Sequence, residues 1–449
     1  MQAIVIGAGK MGYSLARLLA KEGYGVTMIE RDAERGSVVQ DNLDISVLTG
    51  NGASIAVLQG AGVDQTDLLI AVTEIDEVNM IACLLAKQVG VGKTVARVRN
   101  PEYLEEGESG RELISGIDLI INPELVTARE IAELVGAPEA LDVAYYAKGH
   151  IQLLELRVNP GHPLIGRDIQ DLIYEKPFLI VAIVRQEHVV IPRGTDRILE
   201  GDRIFLLAQT EFMPLVEEHL GFKREKAEKV MILGGELSTL YLAKVLEKQK
   251  HMSVTIIEKD HEDCVRLSEE LDSSLVIMGD ATDLDLLRKE GVAETDILVC
   301  MTDNDKVNML ACLIAKSLGV KHTISQVRQS DYITLMTTVG IDVGVSPRIL
   351  TANAILKFIK GSANLLSMTL LSHGGAEMLE FHVAKKSPLV FKKLKDMNFP
   401  KGALIGSIMR GEQVLIAKGD EVLMPEDHIT VFTVPERIDA VLKLFNGAV

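Results

Sequence analysis

"MQAIVIGAGKMGYSLARLLAKEGYGVTMIE", residues 1–30, decides the fold of this chain. Ile4 to Ile6 form a short apolar, β-branched run that stops at Gly7. Gly9 and Gly12 follow in the spacing G-x-G-x-x-G, and Leu15, Leu18 and Leu19 recur at helical intervals, so the order is strand, tight turn, helix. In such a turn the first glycine permits the bend, the second lets backbone approach a pyrophosphate, and the third allows close helix–strand packing. The amides and dipole of the helix N-terminus then face the anion. Gly23 ends the helix, and a second strand, Val26 to Ile29, delivers Glu30. A carboxylate there accepts hydrogen bonds from a ribose 2′-OH and repels a 2′-phosphate, which favours NAD(H) or plain adenine nucleotides over NADP.

The rest of the chain bounds the reading. Its 449 residues suggest about three domains by length alone. The 47% hydrophobic content and a mean hydropathy of +0.20 fit a well-packed α/β protein. With 64 acidic and 47 basic residues the formal charge is -17, so nucleic acid would be repelled and is not an expected partner. Cys83, Cys264, Cys300 and Cys312 show no C-x-x-C spacing and read as reduced core residues, with no metal site implied. No signal peptide and no apolar run of membrane-spanning length are seen, which predicts a soluble, cytoplasmic chain free to dock on a membrane protein.

An internal repeat sets the architecture. "TDLLIAVTEIDEVNMIACLLAKQVGV", from Thr66, returns 229 residues later as "TDILVCMTDNDKVNMLACLIAKSLGV", from Thr295. Val26 to Glu30 recurs as Val254 to Glu258, and Gly50-Asn51-Gly52 as Gly279-Asp280-Ala281. "HPLIGRDIQDL" from His162 resembles "SPLVFKKLKDM" from Ser387, and "LEGDRIFLLA" from Leu199 resembles "MPEDHITVFT" from Met424. The chain is one two-domain unit written twice. Within the first copy, strands are expected at Ala3–Ile6, Val26–Ile29, Ile45–Leu48, Leu68–Val72, Thr94–Val98 and Leu119–Ile121, with helices between them. That alternation predicts an α/β fold: a duplicated, Rossmann-like, doubly wound parallel sheet, each copy followed by a small α+β lobe. The expected boundaries are 1–138 and 139–222, a charged linker "KREKAEK" at 223–229, then 230–363 and 364–449. Lobes of roughly 80 residues are small for independent stability, so each should pack against its twin or a neighbour.

These motifs, namely G-A-G-K-M-G at Gly7, the acid Glu30, G-N-G at Gly50, and "AVTEIDEVNMIACLLAK" with its copy, closely resemble the TrkA family over essentially the whole chain. These are the peripheral subunits of the Trk potassium-uptake system, built from tandem RCK (regulator of potassium conductance) domains. The resemblance implies a cytoplasmic, non-enzymatic regulator, peripheral on the inner face of the membrane. Its Rossmann lobes would bind NAD(H) or ATP/ADP, form a homo-oligomeric ring of dimer or tetramer size, and gate a TrkH-like, membrane-embedded potassium channel or transporter subunit. It also implies contacts with phosphate and ribose from Gly7, Ala8, Gly9, Lys10, Met11, Gly12 and Glu30. Asn51, Gly52, Thr73, Glu74 and Arg97 would complete the pocket, Asn51 standing where many relatives carry Asp. Gly234, Gly235, Glu258, Asp280 and Thr302 are the corresponding residues of the second copy.

Aligned on Leu233 to Ser238, the second copy carries Leu233 and Ser238 in place of the first and third glycines, and Glu236 in place of Lys10. A carboxylate in a phosphate cradle opposes an anion, so that lobe is either degenerate or holds a ligand with less phosphate charge. Two other readings stand beside the regulator of potassium uptake. One is an NAD-dependent oxidoreductase, the other a regulator of a cation/proton antiporter. An oxidoreductase needs a positioned proton donor, and none of the ten histidines falls at equivalent positions in the two halves: His162 faces Ser387 and His188 faces Gln413. The preserved residues, Thr73, Asp76, Val78 and Asn79 among them, read as binding positions, with Asn79 and Asn308 as helix N-terminal caps.

Overall fold

The computed structural model describes residues 1–103, 116–186, 188–222, 226–329, 331–360, 365–370, 376–385 and 387–446. The chain divides into two compact units, residues 1–127 with 346–359, and residues 128–345 with 360–449. Part of the expected linker, 223–225, and the expected boundary at 363/364 lie outside the described residues. Lys229, assigned from sequence to the linker, is already the first residue of a strand.

The first unit is built on a six-stranded sheet: β1 (Gln2–Ile6), β2 (Gly25–Glu30), β3 (Ser46–Thr49), β4 (Leu68–Ala71), β5 (Lys93–Arg97) and β6 (Leu119–Ile121). The order is β3-β2-β1-β4-β5-β6 and every pairing is parallel. The order reverses between β1 and β4, which opens a crevice at their carboxyl ends, where open α/β sheets bind ligands. Strands buried on both faces read as continuous apolar runs, and all four residues of β4 are buried. The helices between them are α1 (Lys10–Lys21), α2 (Ala33–Asn42), α3 (Ile55–Gly60) and α4 (Asp76–Val89). Asp32 caps α2 by accepting from the amides of Glu34 and Arg35, and Gly90 ends α4 in the left-handed conformation at φ 106°.

One face of this sheet carries an element borrowed from far along the chain. Leu15, Ala16, Leu19 and Val39 of α1 and α2 share a core with Ile355 and Ile359 of the helix Pro347–Lys360. Lys93, at the start of β5, donates from Nζ to the carbonyls of Phe358 (3.1 Å) and Ile359 (2.8 Å). A lysine from the sheet thus satisfies the orphan carbonyls at the end of that helix. The opposite face is covered by α3 and α4, where Leu58, Ala82, Cys83 and Ala86 are buried.

The second unit repeats the sheet with β12 (Lys229–Leu233), β13 (Ser253–Glu258), β14 (Leu275–Met278), β15 (Ile297–Cys300), β16 (His322–Gln326) and β17 (Val343–Val345), in the order β14-β13-β12-β15-β16-β17. It also holds both small lobes. The first is an antiparallel sheet β10-β9-β11-β8-β7 made of β7 (Ala140–Tyr146), β8 (Ile151–Arg157), β9 (Phe178–Arg185), β10 (His188–Val190) and β11 (Arg203–Gln209). The second is β18-β19-β22-β20-β21 made of β18 (Leu365–Leu370), β19 (Glu377–His382), β20 (Ala403–Arg410), β21 (Gln413–Ile416) and β22 (His428–Thr433), the same topology. The two lobes share one core, in which Tyr146, Phe205 and Leu207 meet Met378, Met409 and Phe432. The Ala147 amide donates to Glu380 Oε1 (2.8 Å), and Gln209 Nε2 to the Val414 carbonyl (2.6 Å). Each small lobe therefore does pack against its twin. The four cysteines are free and buried.

Candidate nucleotide-binding site

At the carboxyl end of β1 the three glycines of the first lobe are each required for a different reason. Gly7 has φ 102°, a left-handed backbone that a side chain resists, and its amide donates to the Ile29 carbonyl at 2.8 Å. A Cβ on Gly12 would lie 1.8 Å from the Gly7 carbonyl oxygen. Gly9 has an ordinary backbone, φ -64° and ψ 174°, and a Cβ there would meet nothing within 4 Å. What glycine provides at that position is open space above the start of α1. No side chain caps that helix, so its first amides stay available to an anion.

The other residues expected from the sequence lie at or just beyond the carboxyl ends of β2, β3, β4 and β5. Glu30 accepts the Ala8 amide on Oε2 (2.5 Å) and the Asp32 amide on Oε1 (2.9 Å), which ties the end of β2 to the glycine loop. Asn51 turns its Oδ1 onto the Ala53 amide (3.0 Å). Gly52 is packed so closely under Ile6 that a Cβ would stand 2.2 Å from it. Glu74 is exposed, whereas Thr73 is braced by Asn79. Arg97 is mostly buried, its Nη2 3.7 Å from Glu124 Oε1, and its Nε is buried without a hydrogen bond. Burial lowers its pKa, and Glu124 partly restores it. Beside the loop lies a groove of about 450 Å³ lined by Lys10, Tyr13, Glu34, Arg35 and Arg348. Three cations face one carboxylate there, on a chain whose overall charge is strongly negative. Arg348 comes from the helix Pro347–Lys360 and no spacing in the sequence pointed to it.

Two sequence readings are corrected here. Asn79 is not a helix cap: it lies within α4, fully buried, and clamps two strand ends. Its Oδ1 accepts from the Thr73 amide (2.9 Å) and hydroxyl (2.8 Å), and its Nδ2 donates to the carbonyls of Thr73 (3.1 Å) and Arg97 (2.9 Å). Asn308 repeats the arrangement with Thr302 and Gln326, while the cap of that helix is Asn304. Asp76 likewise accepts the amides of Arg99 and Asn100, both at 2.8 Å. The repeated T-x-x-D-x-V-N stretch thus braces the carboxyl ends of β4 and β5 and their counterparts in the second lobe.

The second correction concerns register. In the second lobe Gly234 has φ 110° and its amide donates to Ile257 at 2.9 Å, so it occupies the place of Gly7 and the first glycine is retained. Glu236, with φ -64° and ψ 172°, occupies the place of Gly9, and Thr239, whose hydroxyl donates to the Gly234 carbonyl at 2.8 Å, that of Gly12. Leu237, not Glu236, replaces Lys10. Gly235 corresponds to Ala8, and its carbonyl accepts from Arg266 Nη2 (2.7 Å). Glu258 bonds the Asp260 amide (2.7 Å) as Glu30 bonds Asp32. Asp280 accepts the Thr282 amide and hydroxyl, both at 2.7 Å, and these bonds lower its pKa. Among the described residues no cluster of three or more His, Cys, Asp or Glu could hold a metal ion, and no helix is long and apolar enough to cross a membrane.

The TrkA-N domain family matches residues 3–123 and 230–347, and the TrkA-C domain family matches residues 153–221 and 378–446. The chain belongs to the TrkA family. The Trk system potassium uptake protein TrkA homolog 1 of Methanosarcina mazei is 35% identical over 99% of this chain and 100% of its own length. The TrkA homolog of Archaeoglobus fulgidus is 36% identical, also over 99% of this chain and 100% of its own length. Among solved structures, the GsuK channel bound to NAD superposes with a TM-score of 0.63 at 16% identity, over 100% of this chain and 79% of that one, a likeness of fold. The doubled TrkA-N and TrkA-C segments coincide with the two sheet-and-lobe repeats described above.

Proposed function

We propose that this TrkA-family chain is a nucleotide-binding regulatory subunit of a potassium-uptake system, and that its first Rossmann lobe is the reader. The observation that carries the reading is the open space over Gly9, at an uncapped helix N-terminus beside the cationic groove of Lys10, Arg35 and Arg348. That is an environment for a phosphate-bearing ligand. NAD(H) and ADP or ATP fit it. Relatives aligned end to end carry the Trk potassium-uptake name, and a structure of the same fold is a channel bound to NAD. In this role the chain sits in the cytoplasm, assembles as a dimer or tetramer ring, and acts on a TrkH-like membrane subunit. The ligand works as a signal, through different affinities for two states of the assembly.

Titration calorimetry of the full chain with NAD, NADH, ADP and ATP tests this. Glu30→Gln removes a charged acceptor from both the loop and the ribose. It should weaken binding by about 1–2 kcal/mol, or roughly 5- to 30-fold. Binding of none of these ligands would overturn the reading. Steady NADH consumption with a carbonyl substrate would point instead to the oxidoreductase.

A further inference from the structure

The second Rossmann lobe contains, at the position of Gly9, a carboxylate that is already neutralised. Glu236 takes the backbone angles of Gly9 at the head of the helix Leu237–Leu246. Its two oxygens accept from a single Nη2 of Arg328, at 2.6 and 2.8 Å. Arg328 corresponds to Arg99 of the first lobe, where Nε instead meets Glu124 Oε1 at 2.8 Å. The residue corresponding to Glu124 is Arg348, so the second copy lacks that carboxylate and its arginine takes Glu236.

We propose that Glu236 is a built-in substitute for a nucleotide phosphate, and that it closes the second lobe to dinucleotides and nucleoside phosphates. The geometry supplies each part of the argument. Gly9 leaves the space above the helix start empty, whereas Glu236 stands at that point with a side chain. The negative charge faces the positive end of a helix dipole, as a bound phosphate would. The guanidinium is paired with it as arginine pairs with phosphate oxygens. An incoming phosphate would meet like charge and would have to displace Arg328. The second lobe therefore holds the shape of a loaded site permanently, and each chain reads one nucleotide, in its first lobe.

The inference rests on the nucleotide reading of the first lobe, and the test separates the two. Calorimetric stoichiometry is measured on the full chain with NAD and with ADP. The wild type should bind one nucleotide per chain. Glu236→Gly restores the glycine of the first lobe and removes the carboxylate paired with Arg328, so it should bind two. Glu236→Ala, which leaves a methyl group above the helix start, should gain a weaker second site. Gly9→Glu, at a position whose backbone already suits a side chain, should abolish the original site. Gly9→Glu with Glu236→Gly should return one site, now in the second lobe. Two sites in the wild type, or one site unchanged in both Glu236 variants, would overturn the inference and leave the first-lobe reading intact. No binding by the wild type would overturn the reading itself.

Discussion

Asn79 makes four hydrogen bonds with one amide group, three to backbone and one to the Thr73 hydroxyl, and so joins the end of β4 to the end of β5. It is fully buried, so removing the amide leaves the Thr73 amide and two carbonyls unpartnered, at roughly 1–3 kcal/mol for each buried group left unmade. Asn79→Ala should therefore lower stability by about 3 kcal/mol or more in denaturant unfolding, beyond what truncating an exposed cap costs. A loss under about 1 kcal/mol would show that the clamp contributes little to stability. At this scale the sequence was legible unevenly. The purposes of Gly7 and Gly12 follow from spacing alone, and the structure bears both out. The second loop, Leu233 to Ser238, was not legible. Two adjacent glycines fit the pattern in either of two registers, and only the positive φ of Gly234 tells which one turns the chain. Asn79 was misread because helical spacing places a residue along a helix but does not say that its side chain reaches across to a neighbouring strand.

The alternating elements themselves were plain in the sequence, because each strand is a short apolar run bounded by turn residues. Where a helix docks was not. Helix Pro347–Lys360 follows β17 in the chain, yet its apolar residues join the core of the first sheet, beside α1 and α2. Periodicity reports an apolar stripe without naming the surface that receives it. Ile355 is completely buried in this contact. Ile355→Ala should cost about 2–5 kcal/mol, as a cavity among packed aliphatic side chains does. It should also weaken nucleotide binding, since the same helix carries Arg348 to the groove beside the loop. The two effects are read by thermal unfolding and by calorimetry. Unfolding unaffected by the change would show that the helix is not anchored there.

Across the whole molecule, the repeat predicts a closed assembly more firmly than it predicts any one contact. Soluble homo-oligomers mostly close on a point-group symmetry, so a ring of these chains is the expected assembly. Light scattering at micromolar concentration should give a mass of two or four chains of 49.0 kDa. A monomer would count heavily against the ring. The net charge of -17 argues against a nucleic-acid partner, since it repels a phosphate backbone.

The docking of residues 346–359 on the first unit means that the two halves of the gene product are not two proteins in series. A fragment ending at residue 222 would lack one layer of its own first sheet and leave Leu15, Leu19 and Val39 without a covering helix. The chain on either side of this segment belongs to the second unit. Amide hydrogen exchange in residues 346–359 should therefore follow openings of the first lobe, about three hundred residues earlier in the chain. A ligand that stabilises the native first lobe shields this segment from solvent by mass action, which makes it the natural place to watch the nucleotide arrive.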